Sequence, residues 1–417
     1  ARDLASLAGE ETIFGGFAAE KLERLQAELE PLSRRYDVVV ANPPYMGSKN
    51  MNRWLGDWVK THYKDVKGDL FSCFMVRNVG MGAEHAQLGF MTPYVWMFIG
   101  TYEKLRKFVI QQNTITSLIQ LEYSGFSGAT VPICTFTLQK GYCPGYRGGY
   151  VRLSDFVGAD QQAPRALEAL ANPDCGWFYR TDAGSFDAIP GSPIAYWASK
   201  AMIRAFSIGK SLKEYAYGCN GMTTGENAKF LRLWFEVSAK RIAFNLKQET
   251  ELTDINAWVP YNKGGDYQKW ANHCDYILNW HESGSCLKNY GHLVMRSKNY
   301  MLKPGFTWPK ISSGHIAMRA VPEGFMFDVA GLSLFPNDAN YGLFIEAFVN
   351  SSVASAFLSF LSPTLNFEVG NVTALPIIDI PQFQDGKEML VSECNHLTVE
   401  FRNMFETSWG FVHHPLV

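Results

Sequence analysis

The sequence predicts an α/β protein whose first third contributes a doubly wound sheet, followed by a separate α+β region. Three observations predict it. Short β-branched or apolar runs alternate with helical periodicity up to about Lys140. The run Tyr36-Asp-Val-Val-Val-Ala41 stops at two prolines, as a strand does where its ladder ends. Beyond Lys140 the rhythm is lost, and short elements rich in aromatic residues follow.

The elements read in order. Residues 18–35 form a charged amphipathic helix with Leu22, Leu25 and Leu29 at helical spacing. Tyr36–Ala41 suits a buried parallel strand, and Asn42-Pro43-Pro44-Tyr45 ends it. A helix is expected around Leu70–Gly82, a strand over Gln87–Trp96 and a helix over residues 100–112. Strands follow at Thr114–Glu122 and Val131–Gln139. The glycines and proline of Gly141–Gly149 mark a loop or boundary. Farther on, helices are expected near Tyr341–Leu361 and Lys387–Glu406. The expected domains are residues 1–145, a connector at 146–210, and 211–417.

Composition bounds the function. Of 417 residues, 47% are apolar and 19% charged, so a folded chain is expected. The net charge of −2 excludes a globally basic DNA-coating protein, but it is a cancellation. Residues 258–319 hold eight basic and three acidic side chains, whereas residues 320–417 hold two basic and eleven acidic ones. A basic segment dense in aromatics and glycines is what a polyanion-binding groove needs. No apolar run reaches membrane-spanning length, so no membrane association is expected. The eight cysteines form no C-x-x-C pair, so no metal is expected, and their scatter suggests a reducing, cytoplasmic setting.

Asn42-Pro43-Pro44-Tyr45 carries the chemistry. At the carboxyl end of a parallel strand, where α/β folds place ligands, the prolines preset a turn. The Asn42 side-chain carbonyl and the Pro43 backbone carbonyl can then point the same way. Two converging acceptors bind both protons of an exocyclic amine, favour a pyramidal nitrogen and free its lone pair for attack on a methyl group. Tyr45 offers a flat face for the base, which must leave a duplex to reach it.

YDVVVANPPY resembles the catalytic motif of S-adenosylmethionine-dependent amino-methyltransferases, above all N6-adenine DNA methyltransferases. Lys67-Gly68-Asp69-Leu70-Phe71 resembles the family's next motif. The resemblance implies a cofactor role for Asn42, Asp69, Leu70 and Phe71, and a partial Rossmann-like methyltransferase sheet. Gln87–Trp96 and Val131–Lys140 resemble later strands. Phe136, or else Phe126, is the candidate for a second base-stacking face beside Tyr45.

Enzymes that methylate glutamine or ribosomal guanine resemble this motif too, but they end soon after the sheet. Here Gly221–Ala228, Trp258–Gly265, Tyr276–Trp280, Gly305–Pro309 and Pro363–Gly370 resemble the target-recognition region of phage-defence methyltransferases of the BREX PglX type. Lys263 and Lys269 flank Gly264-Gly265, where backbone can approach a phosphate. Asn262, Gln268, Arg296, Lys298 and Asn299 are residue types that contact phosphates or base edges. Lys263, Lys269, Arg296 and Lys298 are the DNA-binding candidates.

One departure matters. The family's glycine-rich cofactor loop should precede the catalytic motif, and the residues before Asn42 contain no such arrangement. The chain is therefore expected to be a carboxyl-terminal fragment that is inactive alone, with double-stranded DNA and other phage-defence proteins as partners. The alternatives are a non-catalytic DNA-recognition module and part of a restriction–modification fusion.

Overall fold

A computed structural model describes residues 15–123, 125–126, 131–253, 255–271, 275–312, 314–363, 366–379, 387–414 and 416. The opening stretch, Cys274, Thr364 and Leu365 lie outside the described residues. The chain divides into two compact units, Ala1–Ala198 and Ser199–Val417.

The first unit runs α1 (Gly15–Ser33), β1 (Tyr36–Ala41), α2 (Arg53–His62), α3 (Leu70–Met81), β2 (Gly82–Pro93), α4 (Glu103–Gln112), β3 (Asn113–Gln120), β4 (Ile133–Lys140), β5 (Arg147–Arg152), α5 (Ala159–Ala171) and β6 (Phe178–Asp182). Its six strands form one sheet in the order β1-β2-β4-β3-β5-β6. β1 and β2 are parallel, so their connection crosses over through α2 and α3. β3 and β4 pair antiparallel, which makes the sheet mixed rather than purely doubly wound. Buried Phe71, Met75, Trp96, Phe136 and Leu138 belong to the core of this unit.

Two sequence expectations change here. β1 is an edge strand rather than a buried central one: Val38 and Val40 are 62% and 76% exposed, because no described element covers them. The expected connector at 146–210 is divided between the units. Residues 147–182 contain β5 and β6, and β5 is hydrogen-bonded in parallel to β3 from Ser117↔Gly149 to Gln120↔Arg152. The glycines at 148 and 149, read as loop, are strand residues; an added Cβ on Gly148 would lie 2.5 Å from the Ile115 carbonyl oxygen.

The second unit contains α6 (Lys200–Ile208), β7 (Lys210–Ser211), β8 (Ala216–Cys219), α7 (Asn227–Phe230), β9 (Leu231–Leu233), β10 (Trp258–Asn262), β11 (Trp270–Ala271), β12 (Tyr276–Asn279) and α8 (His281–Asn289). β13 (Gly305–Pro309), β14 (Arg319–Val321), β15 (Met326–Phe327), β16 (Gly331–Pro336), α9 (Gly342–Val349), α10 (Ser352–Leu361), α11 (Val369–Thr373), β17 (Pro376–Ile377) and α12 (Lys387–Asn403) follow. The strands make sheets of order β15-β10-β12-β9 and β11-β14-β13-β16-β8, plus the pair β17-β7.

The single helix expected over 341–361 is two helices meeting at a 74° bend. Asn350 breaks it: its side-chain amide exchanges two 2.9 Å hydrogen bonds with the Met318 backbone, mimicking a strand partner. Ser351 then caps α10 by accepting from the Ala354 amide at 3.1 Å. Among the described residues no single helix is long and apolar enough to cross a membrane.

One buried acid makes this unit sensitive to pH. Glu346 on α9 is fully buried, and its Oε2 accepts from Asn395 Nδ2 of α12 at 2.8 Å. Burial pushes its carboxyl up to about 7, against partial opposition from Asn395 and the Ala320 amide. The folded protein thus keeps a proton that the unfolded chain has released. The stability it contributes is complete below the ordinary carboxyl value and is lost as pH rises through about 7. The expected loss is on the order of 2–3 kcal/mol. Melting temperature measured from pH 5 to 8.5 should fall and then level off, and Glu346→Gln should flatten the profile.

Candidate catalytic loop and nucleic-acid interface

The catalytic-motif residues leave the sheet at the carboxyl ends of two parallel strands. Ala41, the last residue of β1, is in register with Phe90 of β2. Pro43 is buried and anchors the turn, whereas Asn42, Pro44 and Tyr45 are exposed. The Tyr45 hydroxyl lies 3.2 Å from both Asn42 Oδ1 and the Met91 carbonyl, and donates to this acceptor pair. One tyrosine therefore ties the asparagine to the end of the neighbouring strand. Burial raises the Tyr45 pKa, with Cys134 adding to the effect, so the hydroxyl stays a donor at neutral pH.

Asp69 holds the loop from the other side. Its Oδ1 accepts from the Met46 amide at 2.9 Å and from the Phe71 amide at 3.2 Å, the second bond capping α3. Flanking backbone bonds, Ser48 amide to Gly68 carbonyl (3.0 Å) and Leu70 amide to Met46 carbonyl (3.1 Å), complete a short ladder. Burial raises the Asp69 pKa, and the amides of Phe71, Met46 and Leu70 oppose it. Asp69→Ala should cost about 1–2 kcal/mol by urea denaturation through loss of the cap and the cross-loop bond. Asp69→Asn, which keeps an acceptor, should cost less than half of that.

The ladder brings the two motifs read from the sequence together. Phe71 is buried, with the edge of Tyr45 6.5 Å away at 90° and Tyr102 at 5.4 Å. Phe136 sits elsewhere: it is 1% exposed, stacked on Phe90 at 5.3 Å and against Trp96 at 5.1 Å. It faces the core because β4 alternates and Phe136 shares its register with Phe90. In this arrangement it has no face open to a base. Phe126 is 40% exposed.

The sequence reading passed over α2, the helix that follows the catalytic loop. Trp54 and Trp58 on it are 74% and 40% exposed. The signal was available in Arg53-Trp-Leu-Gly-Asp-Trp-Val-Lys-Thr-His62, where the two tryptophans stand four residues apart.

In the second unit the four basic candidates differ. The Lys263 ammonium lies over the Tyr276 ring, 5.0 Å from its centroid, and Lys269 Nζ donates to the Asn350 carbonyl at 2.7 Å. Arg296 and Lys298 are exposed. Asn262 is buried and donates to Thr307 Oγ1 at 2.7 Å, so it serves the interior rather than a base edge. Gln268 is half-buried and Asn299 exposed.

A continuous backbone network joins the loops that carry these residues. Thr223 and Val294 exchange hydrogen bonds at 3.0 and 3.3 Å, the Met222 amide donates to the Phe327 carbonyl at 2.9 Å, and the Asp328 amide to the Asn262 carbonyl at 2.8 Å. Gly221 is required for that approach, since an added Cβ would lie 2.0 Å from the Phe327 carbonyl oxygen. Gly264, at φ +88°, turns the chain after β10 in a conformation that favours glycine. The Arg319 guanidinium, fully buried, fixes that turn through a 2.6 Å bond to the Gly264 carbonyl.

The arrangement defines an α/β unit whose Asn-Pro-Pro-Tyr loop leaves the carboxyl end of its edge strand. Residues 15–126 match the family described as Eco57I restriction-modification methylase. Over nearly its whole length the chain resembles adenine-specific methyltransferases of the PglX and BrxX type. It is 38% identical over 395 residues to adenine-specific methyltransferase PglX of Lacticaseibacillus casei (strain Zhang), covering 91% of this chain and 32% of that protein. It is 33% identical to adenine-specific methyltransferase BrxX of Escherichia coli O9:H4 (strain HS), covering 93% of this chain and 31% of that protein. The chain thus spans about a third of the length of these relatives. Among solved structures, the Type IIL restriction-modification enzyme MmeI in complex with DNA shares the fold at TM-score 0.55 and 9% identity, over 89% of this chain and 50% of that one. A nuclease-deletion mutant of the Type ISP enzyme LlaGI, with a DNA substrate mimic, does so at 0.53 and 12%, over 95% and 37%.

Proposed function

We propose that this chain holds the catalytic loop and the target-recognition part of a site-specific DNA adenine-N6 methyltransferase in a BREX-like phage-defence system. The observation that carries the reading is the Asn42–Tyr45 loop, clasped by Asp69 at the carboxyl ends of two parallel strands. The names of the PglX and BrxX relatives support the choice of adenine, and the resemblance of the later segments to the BREX PglX type supports phage defence.

In this reading a flipped adenine displaces the Tyr45 hydroxyl from Asn42 Oδ1. The amine then donates one proton to Asn42 and the other to the Pro43 carbonyl, and Tyr45 stacks on the ring. The nitrogen becomes pyramidal and nucleophilic without a strong base, and its extra proton leaves to solvent after attack. A second stacking face falls to an exposed ring, Phe126, rather than to Phe136. Arg296 and Lys298 contact the duplex backbone, while Lys263 and Lys269 shape the recognition loops.

S-adenosylmethionine, when bound, supplies the methyl group. The residues present fit one side of it, the Asn42 acceptor and the Asp69–Leu70 turn, whereas Phe71, expected to line the cofactor, is 1% exposed and packs in the core behind that turn. The exposed valines of β1 present an apolar face that a further layer of polypeptide would cover. The non-catalytic recognition module remains the second reading, favoured by that one-sided cofactor wall.

The test is mass spectrometry of duplex DNA incubated with the protein and S-adenosylmethionine, read for N6-methyladenine. Calorimetry of this chain with the cofactor separates the readings, since a one-sided site binds it weakly. Methylation of cytosine or of protein instead of adenine would overturn the proposal.

A further inference from the structure

A hollow of about 630 Å³ opens beside the catalytic loop, between α2, the turn at 64–68 and the start of α4. Ser48 and Gly68 line it, and the Ser48 amide donates to the Gly68 carbonyl at 3.0 Å, so its wall is the same ladder that holds the catalytic turn. Five basic side chains line it, among them Lys64 and Lys67, against three acidic ones. Each acid already has a cation: Asp57 pairs with Lys60 (3.3 Å) and Arg53 (3.9 Å), Asp65 with Lys104, and Glu103 with Lys107 (2.7 Å). Lys64 and Lys67 form no direct ion pair among the described residues, which leaves the hollow an excess of positive charge.

The neighbouring face of α2 is aromatic. Trp54, Trp58 and His62 recur every four residues, Trp58 stacking on His62 at 4.6 Å. Trp54 is 74% exposed and makes no ring contact among the described residues. The adjoining face of α2 is fixed in the core by buried Val59, with Leu55 half-buried against it. Cationic groups and open aromatic faces on one helix and the turn after it suit a strand of nucleic acid, which offers phosphates and π-faces at alternate positions. A protein partner would meet the rings without a use for the surplus charge.

We propose that this hollow seats phosphates of the target strand next to the extruded nucleotide, through Lys64 and Lys67, while Trp54 and Trp58 stack on bases beside it. The proposal rests on the DNA-methyltransferase reading and adds to it a strand-positioning surface in the first unit. Holding the strand there keeps the gap left by the extruded base from reclosing.

The test uses the protein on duplexes carrying 2-aminopurine beside the target adenine. Lys64→Ala with Lys67→Ala should weaken DNA binding and lower the slope of log affinity against log salt by roughly 2, one contact per lysine. Trp54→Ala should weaken binding on the order of 5- to 100-fold, leave the salt slope unchanged and alter the 2-aminopurine emission. These side chains are exposed, and circular dichroism checks that each variant is folded. An unchanged salt slope in the lysine pair, or unchanged emission with Trp54→Ala, would overturn the proposal. So would loss of a protein partner from Trp54→Ala with DNA binding intact. Protein carrying the whole cofactor site that shows these DNA effects but transfers no methyl group would overturn the methyltransferase reading alone and support this surface.

Discussion

On the proposed function, Asn42→Ala should lower kcat for methyl transfer to duplex adenine by about 10²- to 10³-fold, the usual consequence of removing one preorganised polar partner of a transition state. The expectation applies to the protein carrying the whole cofactor site, with N6-methyladenine followed over time by mass spectrometry. Asn42 is exposed on a turn fixed by buried Pro43, so its loss leaves no interior cavity. DNA affinity should therefore change little, and the effect should appear in kcat rather than KM. Tyr45→Phe provides the contrast. It removes the hydroxyl that occupies Asn42 Oδ1 in the resting loop and keeps the ring, so it should retain far more activity than Asn42→Ala. Full activity in Asn42→Ala would sink the proposed mechanism.

Arg106→Ala should cost about 3–5 kcal/mol of stability, the largest effect expected of any residue outside the catalytic loop. Arg106 on α4 is 1% exposed. Its guanidinium donates to the Gly191 carbonyl twice, at 2.9 and 2.7 Å, and to the Trp96 and Ile99 carbonyls at 2.8 and 2.7 Å. Burial pulls its pKa down to about 10, with Glu103 opposing, so it stays charged at neutral pH. Alanine would remove the side-chain donor from the Trp96 and Gly191 carbonyls, leave the Ile99 carbonyl only its bond from the Tyr102 amide, and open a void between them. Urea denaturation measures the cost, and hydrogen exchange should show the segment around Gly191 opening first. Arg106→Lys restores one of the donors and should recover only part of the loss.

Much of the candidate site's local geometry was legible in the sequence because it is local. A strand stopped by two prolines fixes where Asn42 and Tyr45 emerge, and Lys67–Phe71 reads as a turn into a helix. Their meeting through Asp69 was not legible, because a carboxylate shared by the Met46 and Phe71 amides joins residues 23 positions apart. Phe136 and Phe126 could not be ranked from spacing, since register with Phe90 decides which ring enters the core. In the second unit composition identified the basic segment, but burial separated Asn262 from Arg296. Asn350 shows the same limit: helical periodicity ran through it, while its amide paired with the Met318 backbone and bent the chain.

The sequence by itself determined the strand and the Asn42–Tyr45 turn that ends it, because short-range sterics and residue chemistry fix these. It also determined that the net charge conceals a basic stretch and an acidic one. Only the tertiary structure decided that β1 is an edge, that β5 and β6 complete the first sheet, and that a cationic hollow with open tryptophans adjoins the catalytic turn. Those outcomes depend on which long-range partners cover each surface, and a local pattern of residues does not encode its own neighbours.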